Sequence, residues 1–225
     1  MPFTVKTIDF LIENRLQNSK VWFTEHKSEY TEYVLEPLKK MVVKLAPAML
    51  AIDPLFIAEP KVDRSISRIY RDTRFSNDKS LYRDVMWCVF IRDKKLFDGL
   101  PAYYFEISPS GFRYGMGYYQ AGTASMDSFR NLIINKDKSF VKALKCYENQ
   151  KVFKIEGDDY KRSKYPEQPE NIREWLDKKS FHFTHNSTEF DLLFSEQLPD
   201  RLIEDFSMIK PLYDFLCIVE KQKSS

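Results

Sequence analysis

The chain has 225 residues, of which 43% are hydrophobic, 30% charged and 15% aromatic, enough apolar material for a sizeable core. Six Gly and 11 Pro exclude collagen-like and low-complexity readings. The 35 Lys+Arg and 33 Asp+Glu leave a formal charge of +2, so no chain-wide field draws the protein to nucleic acid or to a membrane.

Met1 to Phe10 carries Lys6 and Asp9 and lacks the apolar run of an export signal. Ile8, Leu11 and Ile12 then recur at helical spacing, and Asn18-Ser19 offers a stop followed by a new start. A second helical stripe runs through Trp22, His26, Tyr30, Val34, Leu38, Met41, Leu45 and Met49, with kinks or breaks expected at Pro37 and Pro47. His26 lies on this stripe and reads as a packed, hydrogen-bonded side chain rather than a ligand.

Strand character begins near Ser65 and returns at Val85 to Ile91, whose β-branched and aromatic content predicts a strand buried on both faces. This is the longest apolar run, far short of the roughly 18 residues of a membrane span. Ala102 to Ser108 and Phe112 to Tyr119 flank Pro109-Ser-Gly111, the pattern of a hairpin. Helices are predicted around Met126 to Ile133 and Phe140 to Leu144, and a short strand at Val152 to Ile155. Pro169 opens a helix through Trp175 and Leu176, and Phe181 and Phe183 alternate with His182 and Thr184 as a strand. The chain closes on a helix opened by Pro199, with a kink expected at Pro211. With no repeat and no linker, the reading is a single domain over 1–225. Its class is α+β, an antiparallel or mixed sheet with a hairpin-rich middle and helices from both ends packed around it.

Cys88, Cys146 and Cys217 are odd in number and form no C-x-x-C, which fits a reducing cytoplasm rather than a disulfide framework. His182 and His185 fall on opposite faces of a strand and pre-form no metal site, so no metal is assigned. No nucleophile motif is present, and the cofactor and oligomeric state stay open.

Charge is unevenly placed. Between Lys61 and Arg83 stand seven basic residues (Lys61, Arg64, Arg68, Arg71, Arg74, Lys79, Arg83) against Asp63, Asp72 and Asp78, a local +4, while the remaining 28 basic and 30 acidic residues give −2. Arg is used in five of the seven places, and its planar fork grips phosphate or carboxylate through two bonds where a lysine ammonium cannot. On a strand, Arg68 and Arg71 would face apart and converge only if the chain bends; on a helix they would share a face. Asp72 is placed to orient a guanidinium, and Asp72 to Ser80 reads as a surface loop.

Arg68-Ile-Tyr-Arg71-Asp72-Thr-Arg74-Phe75-Ser-Asn-Asp78-Lys79-Ser-Leu-Tyr82 resembles the hallmark R-x-x-R-D-x-R-F-x-x-x-[D/N]-K-x-x-Y of a bacterial family of unknown function with about this length. Weaker similarities cover Asn18 to Phe23, Arg130 and Lys161 to Pro169. Leu81 stands where a proline is usual, which loosens the loop, and Glu167-Gln168-Pro169 stands where Asp-His-Pro is usual, which removes a histidine. The resemblance implies a shared fold and site, and supplies no activity.

The resulting expectation is a cytoplasmic binder of a small anionic, phosphate- or carboxylate-bearing molecule; whether it is also an enzyme stays open, and if it is, electrostatic stabilisation of charge developing on the substrate is the catalytic contribution expected. Arg68, Arg71, Arg74 and Lys79 would hold the anion and Phe75 and Tyr82 would form an aromatic wall. Asp78, Arg130 and the backbone at Gly115 and Gly117 complete the candidate ligand contacts, and Asp72 and Lys79 are the candidate catalytic groups. Gly115 and Gly117 read equally as strand glycines at a close backbone approach. Two alternatives stand beside this: an interaction module docking an acidic surface or nucleic acid, with a small molecule favoured over nucleic acid as partner, and a purely structural ion-pair network.

Overall fold

The computed structural model describes residues 3–74, 77–95, 100–118 and 121–223. The first helix, α1 (Val5–Gln17), is opened by Thr4, whose N–H donates to the Thr7 hydroxyl at 3.1 Å, and closed by Asn18 in the left-handed region (φ 46°). Asn tolerates that conformation because its short amide bonds locally. Ser19 then caps α2 (Lys20–Glu25), accepting from the Trp22 N–H.

The long apolar stripe is one helical path in several pieces. After α2 and the short α3 (Lys27–Glu29), residues Tyr30–Leu35 are wound as a π-helix that leads into α4 (Glu36–Ile52). Pro37 gives the physical reason. Having no N–H, it cannot donate to the carbonyl of Tyr33, and that carbonyl instead accepts the Thr7 hydroxyl of α1 at 2.7 Å. The ladder widens here, Glu36 N–H donating to Thr31. Pro47, by contrast, breaks nothing: α4 runs through it, and the carbonyl it leaves without a donor belongs to Val43, on the solvent-facing side. His26 stacks on Trp22 with centroids 4.1 Å apart and its Nδ1 lies 2.8 Å from the Trp22 carbonyl, the packed role expected of it.

Five strands form one antiparallel sheet in the order β1-β2-β3-β5-β4: β1 (Met86–Phe90), β2 (Ala102–Ser108), β3 (Gly111–Gly117), β4 (Lys154–Glu156) and β5 (His182–Ser187). β2 and β3 are joined across Pro109-Ser110 as the hairpin pattern predicts. β4 lies antiparallel to β5, with Ile155 opposite Phe183. β1 corrects one expectation, because only Met86, Cys88 and Phe90 are fully buried while Trp87 and Val89 are half-buried. Its second face, carrying Trp87 and Val89, is only partly covered.

Between β3 and β5 come α5 (Thr123–Ile134), α6 (Lys138–Glu148) and α7 (Glu170–Leu176). The chain ends on α8 (Phe190–Leu193), α9 (Leu198–Met208) and α10 (Lys210–Lys223). The expected single terminal helix from Pro199 is thus two, α9 and α10. Pro211 cannot extend the α9 ladder, so the chain restarts at Lys210 rather than kinking. The α+β class holds, and no helix among the described residues is long and apolar enough to cross a membrane.

Contacts divide the chain into two compact units. The first comprises residues 1–90, 104–114 and 186–203; the second comprises 91–103, 115–185 and 204–225. The first is cored by Phe10, Leu11, Val34, Leu38, Leu45 and Met49, with Phe3 stacked on Phe105. The second is cored by an aromatic cluster around Trp175, which Phe140, Tyr147 and Phe183 approach within 5.5 Å.

Candidate functional site

The basic segment belongs to the first unit and folds back on itself. Ile66 bridges antiparallel to Cys88 and Tyr70 to Tyr82. Ser67 N–H donates to Trp87 O, Val89 N–H to Ser65 O, Arg71 N–H to Leu81 O and Arg83 N–H to Ile69 O, all at 2.8–2.9 Å. Residues 65–71 and 81–89 are therefore two extended arms, with 72–74 and 77–80 at their tip. Alternation along the first arm holds from Ser67 onward, as strand geometry demands: Ser67 and Ile69 are buried, while Arg68 and Tyr70 are exposed.

Aromatic packing fixes the arms. Tyr82 is fully buried, stacked on Phe23 at 4.9 Å and tilted against Tyr70 at 5.1 Å, and Phe23 also packs on Tyr30 at 5.5 Å. Burial and the neighbouring Tyr70 push the Tyr82 phenol up to about 12 and that of Tyr30 to about 12. Tyr82 is thus a core residue and a poor proton donor at neutral pH, rather than the outer half of an aromatic wall. Its proposed partner in that wall, Phe75, lies outside the described residues.

The end of α1 clamps the second arm. Asn18, held left-handed, accepts the Leu81 N–H on its Oδ1 at 2.6 Å, and Arg15 donates to the Tyr82 carbonyl at 3.1 Å. Arg15 also reaches Asp78 Oδ2 at 2.5 Å, and Arg71 approaches that same oxygen at 3.4 Å from the other arm. Asp78 Oδ1 meanwhile accepts the backbone N–H and the hydroxyl of Ser80, at 2.9 and 2.5 Å. Two guanidiniums, a backbone N–H and a hydroxyl thus converge on one carboxylate. The Ser80 hydroxyl and N–H, reinforced by Arg15, hold that carboxyl well below the usual range.

The other arginines of the segment are dispersed. Arg68 is bound to Asp63 and Arg74 grips Asp72 through two bonds of 3.0 and 2.7 Å. Their side chains are 64% and 76% exposed, against 27% for Arg15 and 24% for Arg71. Arg64 goes to Glu59 at 2.5 Å, outside the segment, so part of the local excess of charge is answered by a residue upstream of it. Asp72 is lowered to about 2 by the Arg74 side chain and N–H, which fits a permanent acceptor and not an acid or base working near neutral pH. Lys79 donates to the Thr73 carbonyl at 2.8 Å, closing the tip.

The remaining candidates have other work. Gly115 and Gly117 are covered by the backbone of β5: a Cβ at 115 would lie 2.0 Å from the Phe183 carbonyl oxygen, and one at 117 would lie 2.6 Å from His182 Cα. That is the close strand approach, and β5 occupies the space a ligand would need. Arg130 belongs to the second unit and is 8% exposed. It donates to the carbonyls of Leu176 (3.2 Å) and Lys178 (2.7 Å) and to the Tyr160 hydroxyl (3.2 Å). A cation there complements the C-terminus of α7. Two cavities of the first unit, of about 600 and about 190 Å³, are lined by none of the predicted site residues.

Arg15 and Asn18 were not among the candidates read from the sequence. The available signal was weak: a polar Arg-x-x-Asn at the end of an amphipathic helix, beginning where the family similarity of residues 18–23 starts.

A family model described as conserved hypothetical protein matches residues 6–215. No curated protein and no solved structure matches the chain.

Proposed function

The chain belongs to the conserved hypothetical protein family DUF2461, and from its own side chains we propose that it binds a small anion, phosphate- or carboxylate-bearing, between Arg15 and Arg71. The observation that carries this reading is the occupation of that position by Asp78, whose carboxylate collects four donors from α1 and from the loop. Such a set of donors is what a bound carboxylate or phosphate oxygen requires. Asp78 acts as an internal occupant that keeps the guanidiniums apart and oriented until a better anion displaces it.

Arg68, Arg74 and Lys79 play a lesser part in this scheme than the motif suggests. Each already has a local acceptor, and the exposed pairs exchange readily with water. They raise the local potential for an approaching anion and shape the tip.

A titration of the whole chain with inorganic phosphate and with acetate, followed by amide and guanidinium NMR signals, tests the proposal. Wild type should show saturable shifts at Arg15, Arg71 and Ser80, Arg71→Ala should lose them, and Asp78→Asn should bind phosphate at least tenfold more tightly because the competing negative charge is removed. Loss of folding in Asp78→Asn is checked by its melting temperature, with Asp78→Ser as the second variant. Indifference of wild type and both folded variants to phosphate and acetate would overturn the reading. Binding only of a long polyanion such as heparin, with a steep salt dependence, would replace it by the interaction-module alternative.

A further inference from the structure

The larger cavity of the first unit, about 600 Å³, lies in the size range of small-molecule sites. The turn Pro109-Ser110 and the adjoining ends of β2 and β3 form one wall. The end of β5 with Thr188 forms another, and Asp84 and Val85, just ahead of β1, complete it. Gly111 makes this closure: its φ is +137°, and a Cβ there would stand 2.3 Å from the Ser187 carbonyl oxygen. Only glycine lets the hairpin turn approach the end of β5 so closely.

The lining is rich in hydroxyls, from Ser108, Ser110, Ser187 and Thr188, and it carries three charges. Glu106 is held by Arg113 through two bonds of 2.5 and 3.1 Å across the β2–β3 pair. Asp84 is different. It is half-buried and makes no hydrogen bond or ion pair among the described residues. A carboxylate withdrawn from water without a partner is costly, so its position in the wall of a polar cavity is a demand for a cation.

We infer that this cavity binds a small hydroxylated amine, its ammonium on the Asp84 carboxylate and its hydroxyls among the serines and Thr188. The inference is independent of the anion seat: it uses none of those residues, and the sign of its charge is opposite. The two carboxylates and one guanidinium sum to −1, which fits a monocation better than a phosphate or a dication. The Glu106–Arg113 pair offers both an acceptor and a donor for hydroxyl groups beside it.

Three sugars of one skeleton separate charge from shape. Glucosamine, N-acetylglucosamine and glucose are titrated separately into the whole chain at a pH where the free amine is protonated, with amide signals of Ser110, Gly111 and Thr188 as the readout. Glucosamine should saturate those shifts and bind at least tenfold more tightly than either neutral sugar. Asp84→Asn, close to isosteric, should erase the difference while leaving the melting temperature unchanged. Equal binding of all three sugars, or retention of the glucosamine preference in Asp84→Asn, would overturn the inference. So would failure of both glucosamine and ethanolamine to move any of these signals.

Discussion

Arg71 in the first unit and Arg130 in the second carry the same side chain under opposite constraints. Arg71 meets a carboxylate at the base of a loop and is 24% exposed. Arg130 is 8% exposed and, with the exposed Asp127 carboxylate 3.5 Å away, donates to two backbone carbonyls and a phenol. A guanidinium paired with a carboxylate can trade one anion for another with little cost to the chain. A guanidinium bonded to carbonyls cannot, since those acceptors belong to the loop it holds. Arginine content therefore says little about binding; what accepts from each guanidinium says more.

The comparison is broken most severely by removing the second kind. Arg130→Ala removes the donor to the Leu176 and Lys178 carbonyls and one of the cations around the Tyr160 ring, where the guanidinium sits 5.4 Å from the centroid. Hydrogen bonds to charged groups contribute roughly 1.5–3 kcal/mol, and the lost stem adds packing, so an expected cost is about 3 kcal/mol in urea unfolding. Arg130→Lys should recover only part of it, because one ammonium cannot reach three acceptors in the fork's geometry. Anion binding in the first unit should be untouched in the Lys variant, provided it remains folded. A loss of less than 1 kcal/mol would show that water replaces the guanidinium and that the two arginines are not different in kind.

What was legible in the sequence follows the same division. The hairpin at Pro109-Ser-Gly111, the amphipathic helices and the α7 start at Pro169 were readable because their signals are local in the chain. The π-helical turn was not, since Pro37 predicts a disturbance and the form it takes depends on Thr7 reaching Tyr33 from 26 residues away. The spacing of Arg68 and Arg71 left a strand and a helix open, and the backbone pairing of 65–71 with 81–89 decides for the extended form; the short-range charge count flagged the loop. Arg15 escaped notice because its partner Asp78 is 63 residues distant and nothing local marks an end-of-helix arginine as anything but a solvated one. Gly115 and Gly117 show the reverse: glycine in a strand announces a close approach, and only tertiary structure names β5 rather than a ligand.

Acid sharpens the comparison at the loop. Asp72 is depressed from 3.8 to about 2, and Asp78 is depressed further, so both carboxyls bind protons less readily folded than unfolded. Groups of this kind stabilise the fold above their unfolded pKa and lose that contribution as pH falls through the folded one. Stability should accordingly decline as pH drops from about 4 toward 2, with Asp78→Asn shallower in this window than wild type. Carboxyl ¹³C shifts of Asp72 and Asp78 that titrate near 4 would contradict the pairing.

The smallest effects are expected where the motif looks richest. Arg68 and Arg74 lie on the surface with their carboxylates, and exposed pairs of this sort contribute little once ordering two long side chains is counted against them. Arg68→Ala and Arg74→Ala should leave the melting temperature unchanged within error at 0.15 M salt, where exposed charges are screened within about 8 Å. Anion affinity should fall by no more than about threefold in each, through weakened potential rather than lost contact, and the fall should vanish at high salt. Arg71→Ala under the same conditions should abolish binding at any salt concentration. A larger loss for Arg74→Ala than for Arg71→Ala would relocate the seat from the base of the arms to the tip, because only a guanidinium that touches the anion can cost more than one that attracts it from a distance.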